Sequence, residues 1–394
     1  MEIIFTNDVR LLFATRFIRL FAYGSLSVVL VFYLIGNGLS EQQTGWLVTL
    51  TLAGDVAVSL FLTTRADRLG RRRVLIAGAL LMAAAGAVFA STRMFALLLI
   101  AGTLGVISPS GNEVGPFLPI EQAALSSVIP GRLRTEVFAW YTLAGAVATA
   151  SGALAAGLFG TDHHRVILFY AVLGGLLAML FSRLSSATEV MPSAGKPTLS
   201  GLHKSRGVVA KLSVLFALDS FAGGFVMQSF AAYWFYLRWG VSPEKLGAIF
   251  FGANLLAGLS ALVASRMARR FGLIQTMVIT HLPSNVLLIL VPLMPTLPLA
   301  ITVLLLRFSI SQMDVPTRQA YTMAVVDPDE RSAAAGITGV ARTTGAALSP
   351  FLVGLMFARP SLINLPFILG GTLKIVYDLL VWRTFSRVPL SASD

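Results

Sequence analysis

Long apolar runs, broken at intervals by charge, proline or glycine, fill the chain from end to end. A helix that crosses a bilayer takes about 20 mostly apolar residues. Runs of that kind occupy 11–35, 44–64, 73–92, 95–128, 135–159, 164–184, 210–237, 245–265, 273–293, 297–326, 332–358 and 361–385. The pattern predicts an all-α membrane protein with twelve transmembrane helices. The fourth and tenth runs are longer than a bilayer requires, so they must tilt, project or break. Ser108-Pro109-Ser110-Gly111 and Gly115-Pro116 supply break points in the fourth. The first run, Leu11 to Ile35, is too long for a secretory h-region and is taken as the first span.

Charge changes the picture next. Only 12% of the 394 residues are charged, against about 25% in ordinary soluble chains, which excludes a typical cytosolic enzyme. In a soluble chain a net charge of +12 would point to nucleic acid. Here it follows topology instead, and no nucleic-acid partner is expected. With the N-terminus cytoplasmic, 19 of the 30 Lys and Arg fall on the cytoplasmic side and 5 outside. That asymmetry places both termini in the cytoplasm. The stretch Ser185 to Gly207, rich in Ser, Pro, Gly and Lys, divides six spans from six. The expected organisation is an N-terminal bundle (1–184), a cytoplasmic linker (185–207) and a C-terminal bundle (208–394). With no cysteine there is no disulfide framework and no thiolate site. No phosphate-binding loop and no metal-ligand spacing occur, so neither a cofactor nor a metal is expected.

The two halves repeat. Pro119-Ile120-Glu121-Gln122-Ala123 matches Pro316-Thr317-Arg318-Gln319-Ala320, and Phe21-Ala22-Tyr23-Gly24 matches Phe221-Ala222-Gly223-Gly224. Ala66-Asp67-Arg68-Leu69-Gly70 matches Ala268-Arg269-Arg270-Phe271-Gly272, and the three separations run from 197 to 202 residues. Ala66-Asp67-Arg68-Leu69-Gly70-Arg71-Arg72-Arg73, between the second and third spans, resembles the signature loop G-x-L-A-D-R-x-G-R-R of the major facilitator superfamily. Thr63 stands for the leading Gly of that pattern and Arg65 for its Leu. Gly70 allows a tight turn, Asp67 can sit near a helix N-terminus or pair with Arg, and Arg68, Arg71 and Arg72 can meet anionic headgroups. In the second copy Arg269 replaces Asp67. The fifth span carries Gly152 and Gly157, and the eleventh carries Gly345, Pro350 and Gly354. The former resembles the antiporter motif of that family, with Gly152-Ala153 where the motif has Gly-Pro. Small residues so spaced permit close packing across the two halves.

Ionisable groups within spans cost at least about 2.5–3.5 kcal/mol each at the bilayer centre, so those retained are functional candidates. They are Arg16, Arg19, Asp55, Glu113, Glu121, Asp219, Arg307, Asp314, Arg318, Arg342, Lys374 and Asp378. The repeat sets Arg19 opposite Asp219 and Glu121 opposite Arg318, so related positions carry opposite charges. Pairing within each half and pairing between halves are both open to this quartet, as are a binding or gating role and static bridges. The resemblance implies that spans one, four, seven and ten line a central cavity. Arg307, Asp314 and Arg342 join the quartet as substrate or gate residues. Asp314 and Arg318, at i and i+4, can satisfy each other. Asp55 and Glu113 have no nearby charge in sequence and are the proton-coupling candidates, with Arg342 as an alternative partner for Asp55. Lys374 and Asp378 are taken as a structural pair. The resemblance implies secondary active transport by alternating access; a monomer in a bacterial inner membrane is expected, and the intramembrane carboxylates point to protons as coupling ion. Efflux of a small organic or amphiphilic solute is the leading reading. Uptake or exchange of a small anion is the alternative, and a lipid scramblase or membrane-embedded enzyme is the reading from another class.

Overall fold

The computed structural model describes residues 6–130, 133–189, 204–327 and 330–386. Among them are sixteen α-helices and no strand. These are α1 (Asn7–Gly36), α2 (Glu41–Leu69), α3 (Arg71–Ser91), α4 (Phe95–Leu104), α5 (Phe117–Val128), α6 (Arg134–Leu158), α7 (His163–Phe181) and α8 (Arg206–Gly224). They continue with α9 (Gln228–Trp239), α10 (Pro243–Phe271), α11 (Leu273–Leu290), α12 (Leu297–Phe308), α13 (Asp314–Ala324), α14 (Arg331–Leu348), α15 (Pro350–Phe357) and α16 (Leu365–Phe385). Local sequence sets several of the ends. The Thr6 hydroxyl accepts from Val9 N at the start of α1. At α2, Ser40 and Gln43 form a reciprocal capping box, with bonds of 3.2 and 3.0 Å. Gly70 (φ +92°) and Gly272 (φ +86°) each turn the chain directly from one long helix into the next, a conformation open to glycine at little cost.

Ten segments among the described residues are helical, long and apolar enough to cross a bilayer. The fourth and tenth sequence runs take a different form. Each is a short apolar helix (α4, α12), an irregular stretch and a second short helix (α5, α13). In the fourth run the interruption spans 105–116 and contains both expected break points, with Gly111 and Gly115 at φ +73° and +77°. In the tenth it covers Ser309 to Met313, where neither Gly nor Pro marks it. Excess length was the only signal there.

By packing, the chain forms two compact units: Met1–Gly195 with Gln228–Phe251, and Lys196–Met227 with Gly252–Asp394. Thus α9 and the start of α10 pack with the first unit. Residues 190–203 of the expected linker lie outside the described residues. Within each unit the most extensive pairing is between equivalent helices, α6 on α1 and α14 on α8. The repeat recurs in that packing. Gly24 lies against the Thr149 backbone and Gly224 against the Ser349 hydroxyl, so that a Cβ at either would overlap its neighbour. Gly152 faces the Phe21 carbonyl of α1 and Gly345 the Ala217 carbonyl of α8 in the same way. Gly24, Gly152, Gly224 and Gly345 therefore bring helices of one half together, whereas Gly157 packs across the two halves of the sequence, as expected. The reason is steric, since backbone meets backbone at these crossings and any side chain would hold the helices apart. Gly157 meets the Glu244 backbone of α10, while Pro350 opens α15 and Gly354 is buried in it.

Candidate functional site

The first unit holds a closed ion network. Arg19, fully buried on α1, places Nη2 2.5 Å from Glu121 Oε2 on α5 and its other terminal nitrogen on Glu113 Oε2. Arg16, one turn earlier, lies 2.6 Å from Glu113 Oε1. Its guanidinium stacks 4.4 Å from the Tyr141 ring, and the Tyr141 hydroxyl donates to Glu121 Oε2 at 2.7 Å. Phe117 covers Arg19 from 4.7 Å. Two cations meet two carboxylates, so the cluster is neutral.

Glu113 reaches this network because the fourth span is unwound. Exposed peptide groups are not tolerated in hydrocarbon, so irregular backbone at membrane depth has to be satisfied by protein. Here that is done by side chains of four helices. Tyr170 donates to Val106 O at 2.5 Å, Tyr23 to Val114 O at 3.4 Å and Thr149 to Gly111 O at 3.5 Å. Asp55, buried on α2, accepts from Gly115 N at 2.7 Å and from Ser59 at 3.3 Å. No cation pairs with Asp55 among the described residues. Its carboxylate clamps the break instead.

The second unit contains a larger network. Asp219 of α8 is held by Lys374 Nζ of α16 at 2.5 Å and by Arg318 Nη1 of α13 at 2.8 Å. Arg318 also lies 3.3 Å from Asp314, one turn back. His281 of α11 stands between two carboxylates, with Nδ1 2.8 Å from Asp378 Oδ1 and Nε2 3.9 Å from Asp219 Oδ1. Asn285 donates to the other Asp378 oxygen at 2.9 Å. Lys374 and Asp378 are therefore not a local pair, as spacing on one helix suggested. Both turn inward and bind different partners on α8 and α11. Arg307 and Arg342 are half-buried and lie within electrostatic range of Asp219 and Asp314.

Of the predicted quartet, Arg19 pairs with Glu121 and Asp219 with Arg318, each inside its own half. In the signature loop, Gly70 makes the expected turn, while the side chains of Asp67 and Arg68 lie outside the described residues. The acid at the start of α3 is Glu189, which accepts from Arg71 N at 2.7 Å and Arg72 N at 3.0 Å. The Arg72 guanidinium donates to Leu184 O at 3.1 Å. Glu330 plays the same part at the start of α8, accepting from Lys204 N and Ser205 N at 2.9 Å each. Sequence reasoning missed Glu189, Tyr141, Asn285 and above all His281. The last carries one usable signal, since it is the single histidine in the interior of an apolar run.

The Major Facilitator Superfamily model matches residues 12–306. The chain belongs to that superfamily. It is accordingly an integral membrane transporter, and its fold agrees. The nucleoside transporter NupG superposes with a TM-score of 0.80 over 96% of this chain and all of its own, at 14% identity. An uncharacterized membrane protein of Saccharomyces cerevisiae is 32% identical, with 97% of this chain and 95% of that protein aligned. The quinolone resistance protein NorA of Staphylococcus aureus is 23% identical over 50% of this chain and 48% of its own length.

Proposed function

We propose that this facilitator is a proton-coupled secondary transporter that exports a small organic or amphiphilic solute by alternating access. In this reading it works as a monomer in a bacterial inner membrane with both termini cytoplasmic, as two six-helix bundles joined through 185–207. The observation that carries proton coupling is the buried chain Asp378–His281–Asp219, with contacts of 2.8 and 3.9 Å. An imidazole between two carboxylates can take a proton on one nitrogen and release one from the other. A buried titratable group in a span is a functional candidate by default. Asp55, which has no cation beside it, is the second coupling candidate. Glu113, held by two guanidiniums, ranks below it. The small-residue motif around Gly152 supports export, and the likeness to a quinolone resistance protein supports a small organic solute.

The test is transport in proteoliposomes under an imposed pH gradient, comparing the parent with His281→Asn and Asp378→Asn. Both variants should lose gradient-driven accumulation while retaining exchange of the same solute at zero gradient. Undiminished accumulation in both, with unchanged pH dependence, would remove the relay from this reading.

A further inference from the structure

The two buried networks differ in charge balance. In the first, Arg16 and Arg19 are matched by Glu113 and Glu121. In the second, the three carboxylates Asp219, Asp314 and Asp378 are already engaged by Lys374, Arg318, His281 and Asn285. Two further guanidiniums share their surroundings. Arg307 on α12 and Arg342 on α14 form no ion pair or hydrogen bond among the described residues, and the Nε of each is buried without a partner. Phe308 covers Arg307 from 4.9 Å and offers no oxygen. Both lie within range of the same Asp219 and Asp314, and Arg342 also feels the like charge of Arg318. Lys374, Arg318, Arg307 and Arg342 outnumber the three aspartates by one, and by two when His281 holds a proton between Asp378 and Asp219.

A guanidinium cannot shed its proton to escape that cost. Within a span, an unpaired one is expensive and is kept only where something else meets it. Its planar donor fork matches two oxygens of one acidic group. We propose that Arg307 and Arg342 bind the acidic group of the transported solute, a small organic anion of the carboxylate or sulfonate class. This rests on the transport reading above and narrows it to one substrate class. Arg19 and Arg318 are excluded as the anchoring cations because carboxylates of the chain already occupy them.

Binding is tested on the purified full chain by thermal unfolding and calorimetry with benzoate, lactate and benzenesulfonate, using benzamide as the neutral counterpart of benzoate. At least one anion should stabilise the parent and benzamide should not. In Arg307→Gln and Arg342→Gln the anion should bind at least tenfold more weakly, while the unliganded melting temperature holds or rises, since each change removes an unpaired buried guanidinium. No anion effect beyond that of benzamide would overturn the proposal. So would lower unliganded stability in both variants with the anion response intact, which would make the guanidiniums structural. Counterflow of the bound anion in proteoliposomes separates the two readings. Exchange that a pH gradient does not drive leaves the anion site standing and removes proton coupling. Gradient-driven transport of a neutral solute, with no anion bound, does the reverse.

Discussion

Replacing Arg19 by Gln removes the cation shared by two carboxylates. Glu113 and Glu121 then face Arg16 alone, and Arg16 touches only Glu113. The Glu121 side chain is 0% exposed, so water cannot take over the lost partner. Stranding one ion of a buried pair costs about 3–5 kcal/mol, a large part of the roughly 5–15 kcal/mol that holds a typical domain together. Adding Glu121→Gln restores neutrality. Arg16 keeps Glu113, and the new amide oxygen still accepts the Tyr141 hydroxyl that now lies 2.7 Å from the carboxylate. The double variant should recover about 2–3 kcal/mol relative to Arg19→Gln alone, a coupling energy in the range for residues in direct contact. Combining Arg19→Gln with Glu113→Gln should recover less, because it leaves Arg16 and Glu121 without a direct contact. Thermal unfolding in detergent micelles, alongside the amount of protein inserted in the membrane, measures all three. If Arg19→Gln with Glu121→Gln is no more stable than the weaker single variant, the two residues are not energetic partners and the closed-network account is wrong.

Asp55→Ala should destabilise the first unit by about 1–3 kcal/mol, the cost of orphaning a buried peptide N–H, whereas Asp55→Asn keeps an acceptor for Gly115 N and should unfold close to the parent. Gly152→Leu should sharply reduce folded protein in the membrane, because the side chain would displace α6 from the Phe21 backbone, while Gly175→Ala, with open space around it, should be neutral. Glu189→Ala, which removes an acid from the start of α3, should lower stability by about 1–2 kcal/mol, read as a melting shift that Glu189→Asp partly reverses.

Features repeated along the chain were legible in the sequence. Arg19 with Glu121 and Asp219 with Arg318 stood out because duplication set opposite charges at related positions, and both pairs form. The unwound fourth span was legible because Gly111, Gly115 and their prolines sit where a continuous helix would strain. The interruption before Asp314 was not, since Ser309 to Met313 carries no residue that forbids helix. His281 was missed for a different reason. Its carboxylate partners lie 97 residues away at Asp378 and on another helix at Asp219, so no spacing along the chain announces the chain of contacts. Lys374 and Asp378 misled through the opposite effect, as an attractive i, i+4 interval that the fold does not use. Which cations stay unpaired depends on where every carboxylate goes, and only the packed structure shows that Arg307 and Arg342 are without ion-pair partners among the described residues.

The most direct test of the central claim, that solute movement is coupled to protons, is to load proteoliposomes with a pH-sensitive dye and impose a solute gradient across them. A transported solute should drive a proton flux of fixed ratio to its own, opposite in direction for export, and a protonophore should abolish accumulation without stopping exchange. Solute flux that leaves internal pH unchanged, and proceeds equally with and without the protonophore, would contradict the claim.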